Sequence, residues 1–174
     1  TFPEADSYVV VDAYDHHSSI QVIPEENKIV GYTTRNSGGV PENFKNYFVI
    51  VFDKPFTYKA TFSNDTLPAK KNATVPVTVK EGQLAQTDYH TGAVIGFKTG
   101  KGEVVHARVA SSFISAEQAE LNLEELGTHS FDALVAKGKN QWNEVLARVE
   151  VDGGTVDQYR MFYSCLYRSL LFPR

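Results

Sequence analysis

Thiol chemistry is all but missing from this chain. Cys165 is the single cysteine, which excludes an internal disulfide and any cysteine-built metal site. One thiol does not assign a compartment. Basic clusters are missing as well: 17 Lys and Arg stand against 21 Asp and Glu, for a formal net charge of -4 and a pI near 5.7. No stretch is basic enough to hold nucleic-acid phosphates, so a nucleic-acid partner is excluded. No apolar run approaches the roughly 18 residues of a membrane span. No signal peptide opens the chain, and Thr1 is not a translation start. The numbering is therefore expected to begin inside a longer product, which a leader could precede.

What the chain has is apolar and aromatic. Of 174 residues, 42% are apolar, with 9 Tyr and 11 Phe, enough for a sizeable core in one domain or one domain plus part of another. Up to about residue 115 the periodicity is that of strands. "TYKATFS" places Tyr58, Ala60 and Phe62 on one face and Thr57, Lys59 and Thr61 on the other, which predicts a strand with one wet side. "NYFVIVFD" (46–53) is apolar without a break, as a central strand covered on both faces would be. In "TVPVTVK" Val75, Val77 and Val79 alternate, while Pro76 removes a ladder donor and predicts an edge. Tyr8–Tyr14, Ser19–Ile23, Lys28–Thr34, Ala93–Lys98 and Glu103–Phe113 complete a set of about eight strands, the pattern of an antiparallel sandwich.

After Ile114 the period becomes helical. Ser115 with Gln118 predicts a capping box ahead of Ala116, Ala119, Leu123 and Leu126, with Gly127 as the stop. Ser130 caps a second helix whose stripe is Phe131, Leu134, Val135, Trp142, Val145, Leu146 and Val149. Gly153 and Gly154 break the chain. Thr155 with Gln158 then opens a third helix, whose one face is Val156, Tyr159, Tyr163, Leu166, Tyr167 and Leu170. A helix this apolar is normally enclosed, and two amphipathic neighbours are too few, so partner helices are expected outside this chain. Strands first and helices afterwards exclude a parallel βαβ fold. The linking loop "GYTTRNSGGVPENF" is polar, and a domain boundary is expected near 115 or near the glycine pair at 153–154.

No active site emerges from the chemistry. "TGAVIGFKTGKGE" fails as a phosphate loop, because three residues separate Gly96 from Gly100 and Gly102 stands where Ser or Thr would bind magnesium. A hairpin turn between two strands is the expectation there. Asp12, Asp15, His16 and His17 gather at a strand end. Adjacent histidines on a strand point to opposite faces, so a solvated strand end outweighs a metal set. Asp88 and His90 share a face if extended and could pair, but no nucleophile completes a triad, and a turn or surface hydrogen bond is the expectation. His106 is expected to be structural, and Trp142 to belong to its helix's apolar stripe and not to stack on a sugar. Two glycosylation sequons, at Asn64 and Asn72, matter only in a eukaryotic secretory pathway.

Four segments taken in order carry a resemblance: "NYFVIVFDKPF", "ARVASSFISAEQAELNLEEL", "FDALVAKGKNQWNEVLARVEV" and "QYRMFYSCLYRSLLFPR". They resemble successive parts of glycoside hydrolase family 92, the calcium-dependent α-mannosidases of gut Bacteroidetes, from about Tyr47 to Arg174 and most densely from Phe113 onward. The resemblance implies a β-sandwich followed by α-helices, α+β overall. Residues 1–114 would be the later part of the N-terminal sandwich and 115–152 a helical linker. Residues 153–174 would be the first helix of an (α/α)6 catalytic barrel. It further implies exo-hydrolysis of terminal α-linked mannose, α-1,2 by expectation, with inversion by a Glu acid and an Asp base. Such carboxyls stand roughly 6.5–9.5 Å apart to admit water. Catalytic and metal residues carried onto this chain: none, since the family's carboxylates and Ca2+ ligands lie in the barrel beyond Arg174. The implied partners are mannose-containing glycans and the rest of the same polypeptide, and the implied setting is bacterial, periplasmic or secreted. The piece by itself is expected to be inactive. Two other possibilities stand beside it: a free-standing sandwich that binds carbohydrate or serves as a scaffold, and a sandwich-plus-barrel hydrolase of another family.

Overall fold

The computed structural model describes residue 2, residues 4–65 and residues 76–171. Among these residues the alternating segments form nine strands: β1 (Ala5–Asp12), β2 (Ser18–Ile23), β3 (Lys28–Thr33), β4 (Asn46–Phe52), β5 (Tyr58–Asn64), β6 (Thr78–Glu81), β7 (Ala85–Asp88), β8 (His90–Thr99) and β9 (Ala107–Ser112). They pair antiparallel into a four-stranded sheet, β1-β8-β5-β6, and a five-stranded sheet, β7-β2-β3-β4-β9. β4 is interior, as its unbroken apolar run predicts. β6, just after Pro76, lies at a sheet edge as its proline predicts, while Val75 and the Asn72 sequon fall outside the described residues. Asn64 closes β5 and is buried.

The layer between the sheets is built on Ile20, Val22, Ile29, Phe52, Phe56, Ala93, Ile95 and Phe97. Phe52, Phe56 and Phe97 form a three-ring cluster with centroids 5.6, 5.6 and 5.8 Å apart. Burying each such ring contributes about 1.5–3 kcal/mol. Hydroxyl pairs close the layer towards the strand ends: Ser7 with Thr99 at 2.8 Å and Ser18 with Thr91 at 2.9 Å.

β5 reverses the expected polarity. Its Thr61 and Ser63 pair in register with Ala93 and Thr91 and face the interior, while Tyr58 and Phe62 lie on the outer face. The reason is in β8, whose glycines leave a trough for those rings. A Cβ at Gly92 would come within 2.0 Å of the Phe62 ring and 2.6 Å of the Val11 carbonyl, and one at Gly96 within 2.8 Å of Tyr58. The turn at 100–103 is also corrected. Glu103 N–H donates to the Gly100 carbonyl at 3.1 Å, so a turn is present, but it joins β8 in one sheet to β9 in the other and is not a hairpin. Glycine spacing carries no information about which sheet receives the next strand. The last strand is also shorter than expected, beginning at Ala107.

Three helices follow: α1 (Ala116–Glu124), α2 (Phe131–Leu146) and α3 (Val156–Leu171). The chain divides into two compact units, Thr1–Glu125 and Leu126–Arg174. α1 belongs to the first. It packs on the outer face of β4 and β9, burying Ala119 and covering Val49. Asn122 Nδ2 donates to the Ser111 carbonyl at 2.9 Å, and Lys28 Nζ reaches Glu120 at 3.0 Å. Ser115 Oγ accepts from Gln118 N–H at 3.1 Å, a cap worth about 1 kcal/mol. The return half of the predicted capping box gives way, because the Gln118 amide donates instead to Asn122, 2.9 Å away.

In the second unit, Thr155 and Gln158 form the full reciprocal box, with bonds of 2.8 and 3.3 Å. Trp142 of α2 meets Tyr167 of α3 edge-on at 4.5 Å, in keeping with a packing role. Yet neither helix has a buried residue: Phe131 is 66% and Met161 69% exposed.

Two glycines separate close approach from open space. Gly92→Ala is expected to destabilise the sandwich by about 1–3 kcal/mol. Gly138→Ala, in α2 with nothing within 4 Å of the new methyl, should raise helix stability by about 0.5–1 kcal/mol. Urea denaturation followed by circular dichroism checks both signs; a neutral Gly92→Ala would contradict the trough.

Candidate functional site

Antiparallel order brings the C-terminal ends of β1, β3, β5 and β7 and the N-terminal ends of β2 and β8 to one end of the sandwich, and the polar residues singled out in the sequence converge there. Asp12 Oδ1 accepts from Tyr14 N–H at 2.7 Å and pairs with His90 Nε2 at 2.7 Å. Asp88 and His90 do not pair; the turn and surface hydrogen bonds expected there are what forms. Asp88 ends β7 in the five-stranded sheet and His90 opens β8 in the four-stranded one, so the chain changes sheets at Tyr89 and the assumed face-sharing is lost. Asp88 Oδ1 accepts from Tyr89 N–H instead, at 2.8 Å.

His16 and His17 also depart from expectation. They sit in the turn between β1 and β2, not on a strand. Tyr14, His16 and His17 all adopt left-handed backbone, with φ of 64°, 69° and 70°. That conformation costs an L-residue about 1–2 kcal/mol, so the surroundings must enforce it. They do: His17 N–H donates to the Tyr89 carbonyl at 2.9 Å, and the His17 carbonyl accepts from Thr34 N–H and Oγ1 at 3.1 and 3.0 Å. Both histidine rings lie 5.6 Å from the Tyr89 ring, and Arg35 bonds Asp15 at 2.9 Å. Among the described residues, no three His, Cys, Asp or Glu side chains gather as a metal set.

Beside this turn, a depression of about 550 Å³ is lined by His17, Tyr32, Asp65, Thr87, Asp88 and Tyr89. Tyr32 is on the outer face of the five-stranded sheet, flanked edge-on by Tyr47 at 6.0 Å and capped by Lys45 Nζ at 4.0 Å. Thr87 Oγ1 donates to Ser19 Oγ at 2.9 Å on the same face. Sequence inspection missed Tyr32, Asp65, Thr87 and Tyr89 as a group. They come from three separate segments, and only the sheet order unites them.

At the opposite end, Asp53 and His106 form a clasp between β4 and β9. His106 N–H and Nδ1 contact the two Asp53 oxygens at 2.9 and 2.8 Å, and Asp53 N–H donates to the His106 carbonyl at 3.1 Å. The role of His106 is thus structural. Lys54 and Glu103 form an ion pair alongside. Desolvation pushes the Asp53 carboxyl up. The hydrogen bonds from His106 and the charges of His106 and Lys54 outweigh it, and together hold the group below its ordinary 3.8.

An antiparallel sandwich followed along the chain by capped helices defines the class of this chain: a sandwich joined to the start of a helical domain. Residues 1–112 match the glycosyl hydrolase family 92 N-terminal domain and residues 118–174 the glycosyl hydrolase family 92 catalytic domain. The chain belongs to glycosyl hydrolase family 92. Among solved structures it is similar to a family GH92 inverting mannosidase from Bacteroides thetaiotaomicron, at 43% identity and a TM-score of 0.83 over 100% of this chain and 22% of that one. A gh92 family glycosyl hydrolase is 26% identical with a TM-score of 0.71, covering 92% of this chain and 21% of that one. A family GH92 α-mannosidase from Bacteroides thetaiotaomicron in complex with mannoimidazole is 23% identical with a TM-score of 0.70, over 88% and 20%, and shows the fold alone. No match was found among curated proteins. The chain spans about a fifth of the length of these solved relatives, 22% of the first.

The Asp53 clasp yields a pH signature. A carboxyl held below its unfolded value adds stability that is present above pH 3.8 and lost as pH falls through the lower folded value. Asp53→Asn should therefore melt lower than the parent above pH 3.8, with the gap closing below it. Melting temperatures measured from acid to neutral pH decide this; a gap that persists unchanged into acid would contradict the assignment.

Proposed function

We propose that this chain supplies the later part of the N-terminal sandwich and the opening helices of an exo-acting mannosidase that removes terminal α-linked mannose from glycans. The observation that carries this is the continuous likeness of all 174 residues to an inverting mannosidase, at 43% identity. Inversion and an α-1,2 preference belong to the proposal, as does a periplasmic or secreted bacterial setting.

The chain is proposed to be inactive alone. Inversion needs two carboxyls facing each other roughly 6.5–9.5 Å apart, one as acid and one to activate water. The hollow at the start of α3, about 340 Å³, contains one carboxylate, Asp152, and its Oδ1 accepts from Gly153 N–H at 2.8 Å. Asp157 is exposed and paired with Arg160 at 3.2 Å. On family grounds the chemistry is assigned to residues outside this chain. Calcium is proposed for the whole enzyme on family grounds. The described residues gather no three His, Cys, Asp or Glu side chains and so do not fit a carboxylate-rich cage for it.

The faces of α2 and α3 fit the same assignment. A helix pair with a Trp142–Tyr167 contact but no buried residue is half of a packing arrangement. Further helices of the catalytic domain are proposed to complete it.

Mannose release from an α-1,2-mannobioside tests the proposal. The 174-residue chain should release none with or without calcium, and the polypeptide extended through the rest of its reading frame should release mannose only with calcium. Calcium-dependent release by the short chain would overturn its inactivity. An extended protein that ignores mannosides would overturn the substrate.

A further inference from the structure

We propose that the depression between Tyr32 and Tyr89 is a binding site for one neutral hexopyranose unit. A pyranose has an apolar C–H face and a rim of hydroxyls, and its pocket must offer both kinds of surface. Tyr32 and Tyr89 supply apolar walls. Asp65 and Asp88 supply acceptors for hydroxyl protons, His17 can donate or accept, and Thr87, whose own proton goes to Ser19, can accept. The volume of about 550 Å³ is roomy enough for one such ring.

Charge and geometry argue against the other ligand classes. Two carboxylates in the lining repel phosphates and acidic sugars. An organic cation would be repelled by the ammonium of Lys45, which stands 4.0 Å from the Tyr32 ring centroid. A lone Ca2+ takes six to eight oxygens, whereas this lining is partly aromatic. What remains is a neutral polyol with a flat apolar side.

The walls are also built and held. Tyr89 is flanked by both histidine rings, and the turn that carries them keeps three non-glycine residues at φ of 64–70°. Such strain persists where surrounding bonds over-determine it, as the bonds from His17 to Tyr89 and from Thr34 to His17 do. Tyr32 is braced by Tyr47. A wall already fixed in place loses little freedom when a ligand arrives.

NMR titration of the 174-residue chain tests this, with methyl α-mannopyranoside and methyl α-glucopyranoside as probes. The choice of mannoside rests on the function proposed above. The readout requires no turnover, so a failed mannosidase assay would leave it standing. At least one glycoside should give saturable shifts at the amides of Tyr32, Asp88 and Tyr89, with millimolar affinity as befits one small polar unit. Tyr32→Ala should weaken binding about tenfold. Asp88→Asn keeps the side chain's shape and its acceptor for Tyr89 N–H, so it should weaken binding without unfolding the turn. Tyr8→Ala, on the outer face of the other sheet, should change nothing. The proposal is overturned if neither glycoside gives saturable shifts, or if the shifts survive both Tyr32→Ala and Asp88→Asn. It is equally overturned if calcium chloride or tetramethylammonium chloride alone saturates the same amides more tightly than the sugars.

Discussion

Phe97 lies fully buried between the two sheets, with Phe52 and Phe56 against it at 5.6 and 5.8 Å, and the rest of the sandwich depends on that contact. The three rings come from β8, the end of β4 and the segment just after it. Closing them therefore joins the sheets and sets which face of each strand turns inward. The direction of every strand end follows, and with it the gathering of Asp12, His17, Asp88 and His90 at one end and Asp53 with His106 at the other. Polar groups at the margins are satisfied locally by Ser7–Thr99 and Ser18–Thr91, so the apolar layer can be closed without stranding these hydroxyls.

Much of this was legible residue by residue. Alternation located β2, β3 and β8, because one-sided burial imposes period two on a strand, and an unbroken apolar run located β4, which is covered on both faces. Pro76 marked an edge, and Ser115, Ser130 and Thr155 marked helix starts, because these residues act through their own backbone. The failures share a cause. β5 was expected to have one wet side, yet Thr61 faces the interior and Phe62 is buried on the outer face over Gly92, thirty positions along the chain and adjacent only in register. The conditional face-sharing of Asp88 and His90 does not hold, because the chain changes sheets at Tyr89. β7 was not anticipated at all: Ala85–Asp88 is four residues of mixed polarity whose strand character comes from pairing with β2. Of the candidate site, single residues such as His17 and Asp88 could be named. Its tyrosine walls became visible only once sheet order was known.

The two units differ in kind. In residues 1–125, α1 covers the outer face of β4 and β9 and ties to them through Asn122, Lys28 and Ala119, so helix and sheet form one body. Lys28 gains from both Glu26 and Glu120, enough to outweigh the cost of its burial and raise its pKa. That contribution is present below the ordinary 10.5 and is lost only as alkaline pH passes the raised value. In residues 126–174, capping and one aromatic contact define two helices with no buried side chain. Helices of 16 residues without a packed face draw little stability from propensity alone. The sandwich has a packed core, whereas the helices of the second unit carry exposed apolar side chains such as Phe131 and Met161.

The central claim is that stability is concentrated in the sandwich with α1 and not in α2 and α3. Amide hydrogen exchange on the 174-residue chain tests it most directly. The account predicts that β4, β5, β8 and α1 share the slowest exchange and lose protection together, while α2 and α3 exchange early and independently. Protection of α3 equal to that of β8, or early exchange of α1 along with α2, would contradict it.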